Sequence, residues 1–233
     1  MRSLCVIPAR GGSKRIPRKN IRHFAGKPII AWSIEAAQKA GCFDRIIVST
    51  DDEEISAVAK KYDAEVPFIR PSVLADDMTG TMPVVAHALD EMTKRDGVYD
   101  AVCCIYATAP FIRTEDILAG KERIRKGWSF AFAVAEFSAP IFRSFRRLTT
   151  GGVEMFFPDD FQTRSQDLET AYHDAGQFYW GTAEAWRTRD VLFGPFSAAI
   201  PIPRRYVQDI DTEEDWYIAE KMFQAVFPDK KRK

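Results

Sequence analysis

The sequence predicts an α/β protein: a mostly parallel central sheet flanked by helices, with a small β-rich excursion late in the chain. Three observations carry this prediction. Short apolar runs rich in β-branched residues alternate with segments of helical period as far as Ala135. One run, Ala101-Val102-Cys103-Cys104-Ile105-Tyr106, is apolar throughout, as a strand covered on both faces must be. The first run ends in a loop that crowds glycines and cations together, and open α/β sheets bind ligands beyond the carboxyl ends of their strands.

The elements follow in order. Leu4-Cys5-Val6-Ile7 reads as a buried strand ended by Pro8. Ile29 to Ala40 repeats apolar residues at helical spacing, with Gly41 at the stop position. Arg45 to Thr50 is the next strand, followed by a helix from about Asp52 to Lys61 and a short Val66-Pro67-Phe68-Ile69 strand. A helix over Thr81 to Lys94 leads to the 101–106 strand at the sheet centre, and Glu115 to Lys126 returns as a helix. Ser129 to Ala135 is a further strand. The stretch from Pro140 to Leu168 is rich in aromatics and arginine, with Gly151-Gly152 as a hairpin turn. It is too long for a structureless loop in a compact domain. An excursion over about 138–175 that packs on a second subunit is the expectation, with folding back onto its own chain the alternative. Gln177 to Trp180 and Ala198 to Ile202 return to the sheet, and Glu213 to Val226 forms the last helix, stopped by Pro228. The basic end, Lys230 to Lys233, is expected to be a disordered tail.

With 233 residues, 46% of them hydrophobic, the whole chain (1–233) reads as one domain with one sizeable core. Lys plus Arg and Asp plus Glu both number 33, so non-specific binding to nucleic acid or an anionic membrane is not favoured. No run approaches the roughly 20 apolar residues that span a bilayer, and Met1-Arg2-Ser3 leads into a strand rather than a signal peptide, so a cytoplasmic protein is expected. Cys5, Cys42, Cys103 and Cys104 lack metal-ligand spacing and read as reduced thiols. His23, His87 and His173 have no recognisable nucleophile partner, which argues against a Ser-His or Cys-His hydrolase.

The loop from Ile7 to Asn20 is suited to a polyphosphate. Gly11 and Gly12 are expected to take conformations closed to other residues and turn main-chain N–H groups onto an anion. Arg10, Lys14, Arg15, Arg18 and Lys19 supply charge. The loop is neither GxxxxGK[ST] nor GxGxxG. Near the other end, Asp209 and Asp211 face the same way if the segment is extended, and one or two carboxylates with substrate phosphates suit Mg2+. The alternative is that Asp211 or Thr212 merely caps the following helix.

The segment IPARGGSKR-x-P-x-KN resembles the signature of the cytidylyltransferases that activate nonulosonic acids, the sialic acid synthetase family. That resemblance implies a Rossmann-like nucleotidyltransferase fold, a homodimer, CTP as co-substrate and Mg2+ as cofactor. It further implies attack of a sugar acid's anomeric 2-hydroxyl on the α-phosphorus of CTP. Ala9, Arg10, Gly11, Gly12, Ser13, Lys14 and Asn20 would then hold the nucleotide, with Arg10 and Lys14 on the leaving phosphates and Asp209 and Asp211 on the metal. The segment from Arg70 to Thr81 is similar to the family's RP-x-x-LA-x-D-x-x-x-T, which would bring Arg70 and Thr79 to the nucleotide pocket. Ser49-Thr50-Asp51-Asp52 resembles the family's STDD, with Asp51 expected to support the site indirectly and Asp52 to cap a helix.

On the sugar side the family's QPTSPLR is matched by Tyr106 to Pro110 and beyond, which makes Tyr106, Thr108 and Ala109 candidate contacts. Gln177 and Tyr179, in a stretch similar to NGA-x-Y, are two more. Tyr106 stands where the sialic acid enzymes carry glutamine. With STDDEEI, EVPFIRP and DAGQFYWG, this departure looks more like the branch that takes pseudaminic acid, a more apolar sugar acid. Sialic, legionaminic or 2-keto-3-deoxyoctulosonic acid, or a CTP-binding sensor without catalysis, remain alternatives.

Overall fold

The computed structural model describes residues 1–188 and 191–228. The tail at Lys230 to Lys233 lies outside the described residues. Strand β1 (Ser3–Pro8) is followed by the small pair β2 (His23–Phe24) and β3 (Lys27–Pro28), then α1 (Ile29–Ala40), β4 (Arg45–Ser49) and α2 (Glu53–Lys61). Next come α3 (Thr81–Asp96), β5 (Ala101–Ile105), α4 (Thr114–Arg125) and β6 (Phe130–Glu136). The hairpin β7 (Phe145–Arg147) and β8 (Val153–Met155) precedes the long β9 (Tyr172–Thr182), and α5 (Ala183–Thr188), β10 (Ser197–Pro201) and α6 (Glu213–Val226) complete the chain.

Six strands form one sheet in the order β10-β6-β9-β5-β1-β4. The pairs β1–β4, β1–β5 and β10–β6 are parallel, and β9 alone runs against its neighbours β5 and β6. Every residue of β5 is buried, as its unbroken apolar sequence requires. One face of the sheet packs Cys103, Phe178 and Trp180 with Ile34 of α1, Ile55 of α2 and Ile117 of α4. The other face packs Val102 and Phe130 with Leu89 and Met92 of α3 and Trp186 of α5. An aromatic cluster of Phe24, Trp32, Phe111, Trp216 and Phe223 seats α6 beside this core.

Pro8 ends β1 as expected, as its last residue. The chain corrects the sequence reading in three places. Val66 to Ile69 makes no strand; Glu65 and Ile69 touch the sheet through isolated bridges to Ile47 and Thr50. The excursion is lighter in strand than expected, a single short hairpin among 3-10 turns, and its last residues from Tyr172 already belong to β9. Helix α5, too short to show a period, forms because Trp186 buries its ring against Phe130 and donates Nε1–H to Val102 O at 3.1 Å. Among the described residues no helix is long and apolar enough to cross a membrane.

Candidate active site

Beyond the carboxyl ends of β1 and β5 lies a cleft of about 540 Å3, walled on one side by the loop after β1 and on the other by the segment leading into α3. Neighbouring acidic residues fix the loop from behind. Gly11 N–H donates to Asp51 Oδ1 at 3.1 Å, and Asn20 Nδ2 donates to Arg10 O at 2.9 Å. Arg18 grips Asp52 through both guanidinium ends, at 2.6 and 2.9 Å, and also pairs with Glu54. Asp52 at the same time caps α2 by accepting Ile55 N–H at 2.9 Å. The Arg18 pair and these N–H donors hold the Asp52 carboxyl down at about 2.

The cleft gathers Arg10, Ser13, Lys14, Asn20, Arg70, Thr79 and Thr108 with Tyr106. Other expected contacts fall elsewhere. Ala9 is buried and spends its N–H on Ser49 O at 3.0 Å, so it has no donor left for an anion. Neither Gly11 nor Gly12 is at positive φ, and neither lines the cleft; Gly11 is required by space, as a Cβ there would meet Asp52 Oδ2. Arg18 faces Asp52 rather than the cleft. Ala109 is packed in the core, and Gln177, also buried, donates to Tyr206 O instead of lining either cleft described here.

Arg70 is the most buried cation of the site, 4% exposed, with Nη2 at 3.3 Å from Asp51 Oδ1 and with Nε unpartnered. Burial pulls its pKa down, against the opposing effect of Asp51. A guanidinium held this way has donors to spare for an acceptor in the cleft. On the rim, Arg10 Nη1 donates to Asp77 Oδ1 at 2.5 Å and Lys14 pairs with the other oxygen. The turn is folded by Asp76 rather than Asp77: Asp76 Oδ1 accepts the N–H groups of Met78 and Thr79 at 3.0 and 2.7 Å.

Tyr106 lines this cleft and also a second one, of about 510 Å3, with His173, Asp174, Tyr179, Gln208 and Asp209. Its hydroxyl lies 2.8 Å from Thr81 Oγ1, a partner that sequence reasoning passed over, and its ring is 5.1 Å from that of Tyr179. Tyr179 O–H donates to Asp174 Oδ2 at 2.5 Å. Residues five apart in a regular strand point to opposite faces. Gly176, at φ +62°, breaks the alternation of β9 and brings Asp174 and Tyr179 together. Burial pushes the phenols of Tyr106 and Tyr179 up, so both stay protonated as donors.

The chain between β10 and α6 brings Asp209 to the second cleft, while Asp211 pairs with Lys19 at 3.1 Å and Arg15 at 2.8 Å, two cations of the first. Thr212 and Asp215 form the capping box of α6, which leaves both aspartates free of that task. Asp209 keeps an exposed edge, yet its surroundings and the like charge of Asp211 push its carboxyl above the usual range. Among the described residues no group of three or more His, Cys, Asp or Glu is arranged for a metal. Asp209, without an ion pair among the described residues, and the nearby Asp211 nevertheless offer the oxygen donors that a divalent cation takes together with phosphate.

Known proteins similar to this chain point to one family. The chain is 46% identical over 226 residues to the pseudaminic acid cytidylyltransferase of Campylobacter jejuni subsp. jejuni serotype O:2, covering 97% of each chain. It is 34% identical to the CMP-N,N'-diacetyllegionaminic acid synthase of Legionella pneumophila, covering 96% of this chain and 97% of that one. In fold it is similar to a CMP:2-keto-3-deoxy-manno-octonic acid synthetase complexed with CTP, with a TM-score of 0.71 at 15% identity, over 97% of this chain and 100% of the other. The sequence model of the cytidylyltransferases matches residues 4–214, from β1 through the two aspartates, and the chain belongs to the cytidylyltransferase family.

Proposed function

We propose that this cytidylyltransferase activates pseudaminic acid, joining its anomeric 2-hydroxyl to the α-phosphorus of CTP and releasing pyrophosphate. The observation that carries this reading is that a cation-lined cleft and a tyrosine- and carboxylate-lined cleft share one wall residue, Tyr106. Identity of 46% to a protein of that name supports the choice of sugar.

In the proposed arrangement the triphosphate lies along Arg10, Ser13 and Lys14, and Arg70 offers its buried donors to the base or ribose. The sugar hydroxyl releases its proton to water as its oxygen bonds to the α-phosphorus and the α,β-bridging P–O bond breaks. The electron pair leaves on pyrophosphate, whose growing charge Arg10 and Lys14 neutralise. Asp209 and Asp211 would hold Mg2+, which when bound supplies positive charge at the phosphates and acidifies a nearby hydroxyl. Tyr106 and Tyr179 present an aromatic wall and two hydroxyls to the sugar acid. Thr108 and Thr79 complete the rim.

The chain is proposed to work as a homodimer. Phe145, Phe156 and Phe161 of the excursion are each more than half exposed, an apolar surface suited to a second copy. Four cysteines without disulfides suit the reducing cytoplasm. The test is turnover of CTP and Mg2+ with pseudaminic, legionaminic and sialic acid supplied separately. Highest kcat/KM with pseudaminic acid supports the reading; preference for another acid overturns the sugar, and turnover with none overturns the reaction.

A further inference from the structure

Asp77 holds the two cations that the proposed reading gives to pyrophosphate. Arg10 Nη1 donates to Oδ1 at 2.5 Å, and Lys14 Nζ pairs with Oδ2. Among the described residues neither cation is paired with any other carboxylate. The contact spans the cleft, because Arg10 and Lys14 belong to the loop after β1 and Asp77 to the opposite wall.

That wall is built to present the carboxylate. Asp76 folds the turn by accepting Met78 and Thr79 N–H, and Thr79 Oγ1 donates to Val73 O at 3.3 Å, tying the turn back to its own start. The two cations hold the Asp77 carboxyl below the usual range, so it is anionic at neutral pH. A carboxylate and a phosphate group ask for the same donors. A phosphate group that draws Arg10 and Lys14 to itself therefore competes with Asp77 for them.

We infer that Asp77 is a built-in competitor for the pyrophosphate subsite, a specificity-determining residue that weakens retention of the leaving product. The inference rests on the proposed function. CTP has its nucleoside end to hold it elsewhere in the cleft, whereas free pyrophosphate depends on the cations that Asp77 reclaims. Return of the carboxylate to Arg10 and Lys14 helps pyrophosphate to leave and favours the forward reaction.

The test is inhibition by pyrophosphate, and its direct binding by calorimetry with Mg2+, in wild type, Asp77→Asn, Asp77→Glu and Lys14→Ala. Asp77 is partly exposed and its replacement leaves the core untouched. The expected result is an inhibition constant about 3- to 10-fold lower in Asp77→Asn, the range for losing two exposed ion pairs, with Asp77→Glu close to wild type. An inhibition constant unchanged or higher in Asp77→Asn overturns the role of Asp77. If Lys14→Ala binds pyrophosphate as wild type does, the phosphate reading of the loop fails instead, and the inference with it.

Discussion

Gly11 is packed so closely on Asp52 that a Cβ at Gly11 would lie 2.5 Å from Asp52 Oδ2. That oxygen is not the free end of a flexible chain, because Arg18 holds it at 2.6 Å while the other oxygen caps α2. The loop after β1 is thus positioned by a helix cap, and its shape depends on the second strand–helix unit of the sheet.

Replacing Gly11 with alanine is therefore expected to push the loop away from Asp52 and to move Arg10 and Lys14 with it. A misplacement of about 1 Å can cost on the order of 100-fold in rate. Steady-state kinetics with CTP should show kcat/KM lower by 10- to 100-fold, on that same scale, while circular dichroism stays native. Gly12→Ala, with nothing within 4 Å of its Cβ position, is the control and should retain activity.

The Asp52 carboxyl, at about 2 when folded against an ordinary value of 3.8, makes stability depend on pH with a definite sign. Its contribution is complete above about pH 4 and is lost as pH falls toward 2. Arg18 is 38% exposed, so solvent screening reduces the contribution to about 1–2 kcal/mol. Asparagine keeps the helix cap, so Asp52→Asn isolates the charge. Denaturant unfolding should find it less stable than wild type by that amount at pH 7, with the gap closing below pH 4.

Arg70 separates binding from folding. Its partner Asp51 is 27% exposed and also accepts Gly11 N–H, so loss of the guanidinium leaves that carboxylate solvated and hydrogen-bonded rather than buried and unpaired. Arg70→Met should leave the melting temperature within a few degrees of wild type yet raise KM for CTP about tenfold or more, the scale for losing a charged hydrogen bond of about 1.5–3 kcal/mol. A normal KM with a collapsed melting temperature would make Arg70 structural only.

Asp211 pairs with Lys19 and Arg15, so its loss would disturb the loop as well as any bound metal. Asp209 has no such pairs, and Asp209→Asn is the cleaner probe. It is expected to remove most Mg2+-dependent turnover, with Mg2+ titration shifted to higher concentration and the fold unchanged. Turnover and Mg2+ dependence like those of wild type would remove Asp209 from the metal site.

Much of this was legible in the sequence because it is local. The run from β1 into the loop, α1 with Gly41 at its end, and α6 with Thr212 ahead of it are written in apolar period and caps. Arg10 and Lys14 were legible as charges beside a strand end, and Arg70 through the resemblance of its segment to the family's. What the sequence hid depends on distant partners: Asp77 meets Arg10 across 67 positions, and Tyr106 meets Thr81 through a hydroxyl that an apolar strand pattern disguises. Gln177 and Ala109 looked available because resemblance to a family segment does not say which of its side chains the core claims. Gly11 was read for its freedom in φ, whereas the constraint is the width of the gap to Asp52.

The central claim is the transfer of CMP from CTP to a sugar oxygen in the paired clefts, and phosphorus NMR of CTP, Mg2+ and pseudaminic acid with the protein tests it most directly. The account predicts that the three triphosphate resonances give way to pyrophosphate and one phosphodiester resonance in equal molar amounts, only when the sugar acid is present. An unchanged triphosphate, or CMP and pyrophosphate formed without a phosphodiester, would contradict it.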